Sequence, residues 1–267
     1  MTTTETARPR ALVTGAGIRI GRAMALHLAN QGWDVAVHYS RSAAPAAETV
    51  AEAQALGARA EALGADLLDE QATAGLVSRA AEALGGPLSL LVNNASIFEP
   101  ETLDSMTRES WDRAVETNLR APVKLTQDFA GQAPDPLTDA FGEPVAQAHV
   151  VNMIDQRVWK PTPFFASYTL AKSALLTFTK TAAQALAPRI RVNAIGPGPT
   201  MQGTRQTAEH FAAQRAACPL RRGADPDDIV AALAFILSCK ALTGQMIAID
   251  GGQHLAWATP DVMGSVE

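Results

Sequence analysis

Two rhythms of apolar positions alternate along this chain. Short apolar runs bounded by turn residues read as strands at residues 10–13, 34–39, 58–63, 88–92, 149–154, 189–195 and 245–250. Between them, longer segments carry the helical period, at about 21–31, 45–56, 71–84, 110–129 and 165–186. In the first of these Met24 and Leu28 recur at helical spacing, and Gly32 suits the end of the helix; Gly57 and Gly85-Gly86 close the next two. Strictly alternating strands and helices predict a parallel sheet covered on both faces, a three-layer, doubly wound α/β/α fold. No repeat or linker divides the pattern, so residues 1–267 read as one domain behind a loose tail at 1–9.

Two segments interrupt the rhythm. Residues 131–143 are rich in Pro, Asp and Gly and read as an inserted surface loop. Residues 196–222 begin Gly196-Pro197-Gly198-Pro199 and continue as a polar, partly helical stretch. A long segment leaving the carboxyl end of a parallel strand is where substrate loops and lids sit.

Composition narrows the function. The chain is 47% apolar and 18% charged, as a soluble enzyme is, and its net charge of −5 opposes a phosphate-backbone partner such as nucleic acid. Two cysteines are too few for a disulfide framework or a cysteine-rich zinc site and fit a reduced cytoplasmic protein; no metal site is expected. The first ten residues are polar, unlike a secretory signal, and no apolar run approaches a membrane span.

The chemistry begins in the turn after the first strand, Thr14-Gly15-Ala16-Gly17-Ile18-Arg19-Ile20-Gly21. Glycines there let the backbone approach a pyrophosphate at a helix N-terminus. Where NAD-binding folds end the second strand with an acid for the ribose 2′-hydroxyl, this strand runs His38-Tyr39-Ser40-Arg41-Ser42. One arginine and two serines suit a 2′-phosphate, so the expected cofactor is NADP(H). Arg19 is within reach of the same phosphate or of the pyrophosphate. Asp66, after the third strand, is placed to accept from the adenine amino group, or to serve as a plain turn residue.

Farther on, Tyr168 and Lys172 stand one turn apart on a single helix face, where a cation can lower a phenol's pKa from its usual value near ~10. Thirteen residues before the tyrosine, at the end of the fifth strand, is Asp155. That strand end is where α/β enzymes place chemistry, although a carboxylate there also caps the next turn or pairs with Arg157.

Together these residues resemble the short-chain dehydrogenase/reductase family. The resemblance rests on the glycine turn, Asp66, Asn93-Asn94-Ala95, Asn118, Tyr168-x-x-x-Lys172, Pro197-Gly198 and Asp250-Gly251-Gly252, all in the family's order. It implies a Rossmann-type sheet of seven parallel strands, a nicotinamide cofactor and a homotetramer built on helices 110–130 and 165–186. It also implies cofactor contacts from Gly15, Arg19, Ile20, Gly21, residues 38–42, Asp66, Asn93, Ala95, Tyr168, Lys172, Pro197 and Gly198.

Two departures resemble the pteridine reductase branch of the family: Arg19 in place of the middle glycine and Asp155 in place of the catalytic serine. The resemblance implies a pterin-like substrate bound by Arg19, Ser96, Phe98, Asp155 and Tyr168, with the Phe98 ring stacked on it. It further implies that Tyr168 delivers a proton, that Lys172 lowers the phenol's pKa and binds the nicotinamide ribose, and that Asn118 holds a water of the proton relay. Reducing a C=N bond needs a proton at nitrogen, which an Asp–Tyr pair can relay; a carbonyl reductase needs only hydroxyl donors. Trp159 is a further candidate for the pocket wall. The competing readings are a carbonyl or 3-oxoacyl reductase and a non-catalytic NADP(H)-binding regulator.

Overall fold

The computed structural model describes residues 8–259 and 262–263. Residues 1–7 of the expected tail lie outside them. The strands are β1 (Arg10–Val13), β2 (Asp34–Tyr39), β3 (Ala60–Gly64), β4 (Leu90–Asn93), β5 (Leu137–Thr138), β6 (Pro144–Val145), β7 (Ala148–Met153), β8 (Ile190–Pro197) and β9 (Met246–Ile249). Seven of them form one parallel sheet in the order β3-β2-β1-β4-β7-β8-β9. The helices are α1 (Arg19–Asn30), α2 (Ala43–Ala55), α3 (Glu70–Ala74), α4 (Leu76–Leu84), α5 (Arg108–Val115), α6 (Ala121–Gln132), α7 (Ala166–Leu186), α8 (Ala208–Ala216) and α9 (Pro226–Ser238).

Pleat alternation divides the core into two layers. Val13, Val35 and Val92 face Met24, Leu28 and Leu233 of α1 and α9. Leu12, Leu91 and Val150 face Leu76, Leu84, Leu125 and Phe129 of α4 and α6. Each large side chain removed from water here contributes about 1.5–3 kcal/mol. The strand order reverses between β1 and β4, which opens a crevice beyond their carboxyl ends.

Four local features differ from the sequence reading. The helix expected over 71–84 is two, α3 and α4, divided at Gly75. The helix expected over 110–129 contains a π turn, Glu116–Arg120, between α5 and α6. The inserted loop carries the small β5–β6 hairpin. Helix α9 was not anticipated: its run Ile229-Val230-Ala231-Ala232-Leu233-Ala234-Phe235-Ile236-Leu237 has no polar stripe to reveal a 3.6-residue period. Its start is nonetheless marked by Pro226 in the first turn and a capping box between Asp225 and Asp228. Among the described residues no helix is long and apolar enough to cross a membrane.

Candidate active site

The crevice between β1 and β4 is a cleft of about 660 Å³. Its wall includes Gly15, Arg19, Ile20, Gly21, His38, Tyr39, Ser40, Arg41, Ser42, Asp66, Ala95 and Ser96, all named from sequence. Gly15 has φ +63°, and a Cβ on Gly21 would overlap the Gly15 carbonyl and the Asn94 amide, so the turn closes only with glycine at both positions. Arg19 also adopts left-handed φ, +57°. A glycine is unstrained there; the arginine carries a cost of about 1–3 kcal/mol. Its guanidinium donates to the carbonyls of Gln202 (2.7 Å) and Met201 (3.0 Å), tying the glycine turn to the segment after β8.

His38 is buried and acts as a brace. Its Nδ1 accepts from the Gly15 N–H at 3.1 Å, so Nε2 carries the hydrogen and donates to the Ala65 carbonyl at 3.0 Å. Burial lowers its pKa and keeps it neutral, as both bonds require.

The second half of the wall is fixed by Thr14, whose Oγ1 accepts from the N–H groups of Asn94 and Ala95 at 2.9 Å each. Asn94, named from sequence only as part of the Asn93-Asn94-Ala95 motif and given no role of its own, donates its amide to the Thr14 and Gly15 carbonyls at 2.8 and 3.2 Å. Asn93 turns the other way. Its side chain is buried and donates to Asn152 Oδ1 at 2.8 Å, so it does not line the cleft. Strand alternation sends neighbouring side chains to opposite faces, which explains the exchange. Pro197 and Gly198 lie off this wall as well: they pack against β9, where Gly198 allows close approach of the Asp250 backbone.

At the neighbouring end of β7, Asp155 Oδ2 accepts from Tyr168 Oη at 3.0 Å, and its Oδ1 accepts from the Arg157 N–H at 2.8 Å. The carboxylate therefore caps a 3₁₀ turn (Gln156–Val158) and holds the phenol at once. Burial raises the Asp155 pKa, against the opposing pull of the Arg157 N–H and charge, the Tyr168 hydroxyl and Lys172. Burial and the Asp155 carboxylate also push the Tyr168 phenol well above its ordinary value. This departs from the sequence expectation, in which Lys172 lowers it. Lys172 is buried, its Nζ donates to the Met153 carbonyl at 2.7 Å, and it stands 5.7 Å from the centre of the Tyr168 ring. Burial lowers its own pKa to about 8.

Asn118 is wholly buried in the π turn. Its amide donates to the Ile97 and Ala114 carbonyls at 2.9 Å each, and its Oδ1 accepts from Ser96 Oγ at 2.7 Å. The side chain thus fixes the loop after β4. On that loop Phe98 is 40% exposed, packs edge-on to Tyr168 at 4.7 Å between ring centres, and stacks on Phe165 at 4.0 Å. Trp159 stands apart, against His254.

Sequence reasoning also missed Glu101 and Phe165. Phe165 precedes α7 with φ +61°, strained for a bulky residue, and its N–H donates to the Glu101 carbonyl at 2.8 Å. The Glu101 carboxylate accepts from the Ser167 N–H and from Ser110 Oγ. It therefore anchors α7 one residue before the phenol. Burial disfavours its charge, but the bonds from Ser167 and Ser110 prevail and lower its pKa. Glu101→Ala leaves the buried Ser167 N–H unpaired and is expected to cost about 1–3 kcal/mol. Thermal unfolding followed by circular dichroism checks this; an unchanged Tm would remove Glu101 from the account.

The family described as enoyl-(acyl carrier protein) reductase matches residues 15–254. The chain belongs to the short-chain dehydrogenase/reductase family. Its structure is similar to the FolM alternative dihydrofolate reductase 1 of Brucella suis in complex with NADP, with a TM-score of 0.88 and 42% identity over 96% of this chain and 99% of that one. It is also similar to the 3-oxoacyl-[acyl-carrier-protein] reductase FabG of Staphylococcus aureus strain N315, 33% identical over 92% of this chain and 98% of the relative. The D-erythrulose reductase of Gallus gallus is 36% identical over 91% and 94%.

Proposed function

We propose that the protein is an NADPH-dependent reductase that converts a dihydropterin, of the dihydromonapterin or dihydrobiopterin type or dihydrofolate, to its tetrahydro form. The observation that carries this reading is the bond between Asp155 and Tyr168. The 42%-identical FolM structure supports it. Bound NADPH supplies the hydride.

The cleft fits that cofactor on its own evidence. The glycine turn has no room for Cβ at Gly21, and the end of β2 offers Arg41, Ser40 and Ser42 with no acid. Those three residues would hold the 2′-phosphate, Asp66 the adenine and Lys172 the nicotinamide ribose. Tyr168 donates its proton to the substrate nitrogen, and Asp155 returns one to the phenol. Burial shifts both pKa values upward, the direction that favours the protonated forms a proton donor needs. Phe98 offers its ring to a flat substrate. The segment 196–222 closes over the cleft as a lid, latched by Arg19 and by Arg205, whose guanidinium donates to the Phe98 carbonyl. Copies of the chain associate as a tetramer through α5–α6 and α7, where Leu170 is exposed.

A second reading, a carbonyl or 3-oxoacyl reductase, is favoured by the FabG relatives. Asp155→Ser separates the two. It is expected to abolish dihydropterin turnover while sparing or improving carbonyl turnover; the reverse pattern would sink the proton-relay argument.

The pH dependence follows from Lys172. It is cationic below about pH 8 and neutral above, and its charge is what would hold the nicotinamide ribose. The kcat/KM profile, which reports free enzyme, is expected to fall as pH rises through about 8. A profile flat to pH 10 (roughly the free lysine range) would contradict that role.

A further inference from the structure

Two buried acids that share a proton need a nearby positive charge to keep the shared site poised. Lys172 was the expected source, yet its Nζ is drawn to the Met153 carbonyl. The other cation at this site is Arg157. Its main-chain N–H donates to Asp155 Oδ1 at 2.8 Å, and its side-chain Nη1 donates to Thr162 Oγ1 at 2.5 Å. Its guanidinium carbon lies 5.1 Å from the centre of the Phe165 ring and 5.8 Å from that of Phe98. Arginine holds such a position because its planar head stacks on aromatic faces while it donates at its edge. The side-chain bond goes to a neutral hydroxyl, which leaves the charge unneutralised, and Nε is buried without a partner.

The charged and titratable groups around the pair are few. Asp155 faces Tyr168 and Lys172 from α7 and Arg157 from its own turn. Tyr168 faces Asp155 and Arg157, with the Ser96 hydroxyl beside it. Arg157 is the cation common to both acids, and it lowers both pKa values against the effect of burial. The aromatic rings that steady it are the ones beside the phenol, since Phe98 touches Phe165 with its face and Tyr168 edge-on.

We propose that Arg157 is a positioning residue for proton delivery: its main-chain N–H holds the Asp155 carboxylate, and its guanidinium, clamped by Thr162 and the Phe98–Phe165 stack, sets the field across the Asp155–Tyr168 pair. The proposal rests on the reading of Asp155 and Tyr168 as the proton-delivery pair. It goes beyond that reading in assigning the charge to Arg157 instead of Lys172.

The test uses the full-length protein and two variants, Arg157→Gln and Arg157→Lys. The first readout needs no substrate: the carboxyl ¹³C titration of Asp155 in aspartate-labelled protein, assigned by its loss in Asp155→Asn. In Arg157→Gln the midpoint is expected to rise by about one unit, and in Arg157→Lys to stay near wild type. The second readout is turnover of a dihydropterin with NADPH. Here Arg157→Gln is expected to lose about tenfold in kcat with the KM for NADPH unchanged, and Arg157→Lys to recover most of it.

A midpoint that stays put or falls in Arg157→Gln overturns the proposal, even if dihydropterin turnover is found. A midpoint that rises in a protein that turns over no dihydropterin upholds the electrostatic role and removes the substrate assignment instead. Should Arg157→Gln fail to fold, Thr162→Val serves in its place. It frees the guanidinium without removing charge and is expected to move the midpoint the same way by a smaller amount; no movement there counts against the clamp.

Discussion

Tyr168→Phe is expected to cut kcat for a dihydropterin on the order of 10³-fold and to leave NADPH binding within a factor of about two. The variant keeps the ring that packs against Phe98 and removes only the hydroxyl that donates to Asp155. The loss falls on proton delivery alone, so KM stays near wild type while kcat collapses. Asp155→Asn is expected to do the same, because an amide still accepts from the Arg157 N–H but cannot pass a proton to the phenol. The double variant is expected to be little worse than either single one, since two residues that act as a unit are not additive. Steady-state kinetics with cofactor binding followed by NADPH fluorescence measure all three. Multiplied single-variant losses in the double variant would mean that the two side chains work independently.

Arg41→Glu carries the second large effect. Arg41 lies just past the end of β2 on the wall of the cleft proposed to hold the cofactor, beside Ser40 and Ser42. A guanidinium bonded to a phosphate contributes about 1.5–3 kcal/mol, so its loss weakens NADPH binding by about 10- to 150-fold. The introduced carboxylate repels the 2′-phosphate and offers the acceptor that a 2′-hydroxyl wants. NADH binding is therefore expected to hold or improve, and the ratio of the two affinities to invert. Binding titrations with both cofactors give that ratio directly. A proportional loss for both would place the 2′-phosphate elsewhere.

What the sequence revealed and what it hid follow physical lines. The seven strands were legible because parallel strands are buried on both faces and read as near-continuous apolar runs. The cleft wall was legible because a tight turn and the residues proposed for a phosphate leave local marks: glycines, an arginine, a missing acid. Helix α9 was hidden by its even apolarity, and the π turn by its single inserted residue, which leaves no period of its own.

Contacts made across the fold were hidden as well. Glu101 meets Ser167 only after β7 brings α7 back to the loop beyond β4, and nothing near Glu101 announces it. Asn93 and Asn94 carry identical side chains, and only the strand's pleat decides which one reaches the cleft. The role of Lys172 toward the phenol was misjudged for a different reason. Helical spacing brings the two residues together, but the Met153 carbonyl competes for the ammonium, and the Asp155 carboxylate acts on the phenol from closer range.

The most direct measurement is NADPH oxidation by the wild-type protein with dihydromonapterin, dihydrobiopterin and an acetoacetyl thioester assayed side by side. The account predicts that a dihydropterin is turned over and that the thioester is poor or inert. Efficient turnover of the thioester, with both pterins left unreduced, would contradict it and make Asp155 an unusual member of a carbonyl reductase site.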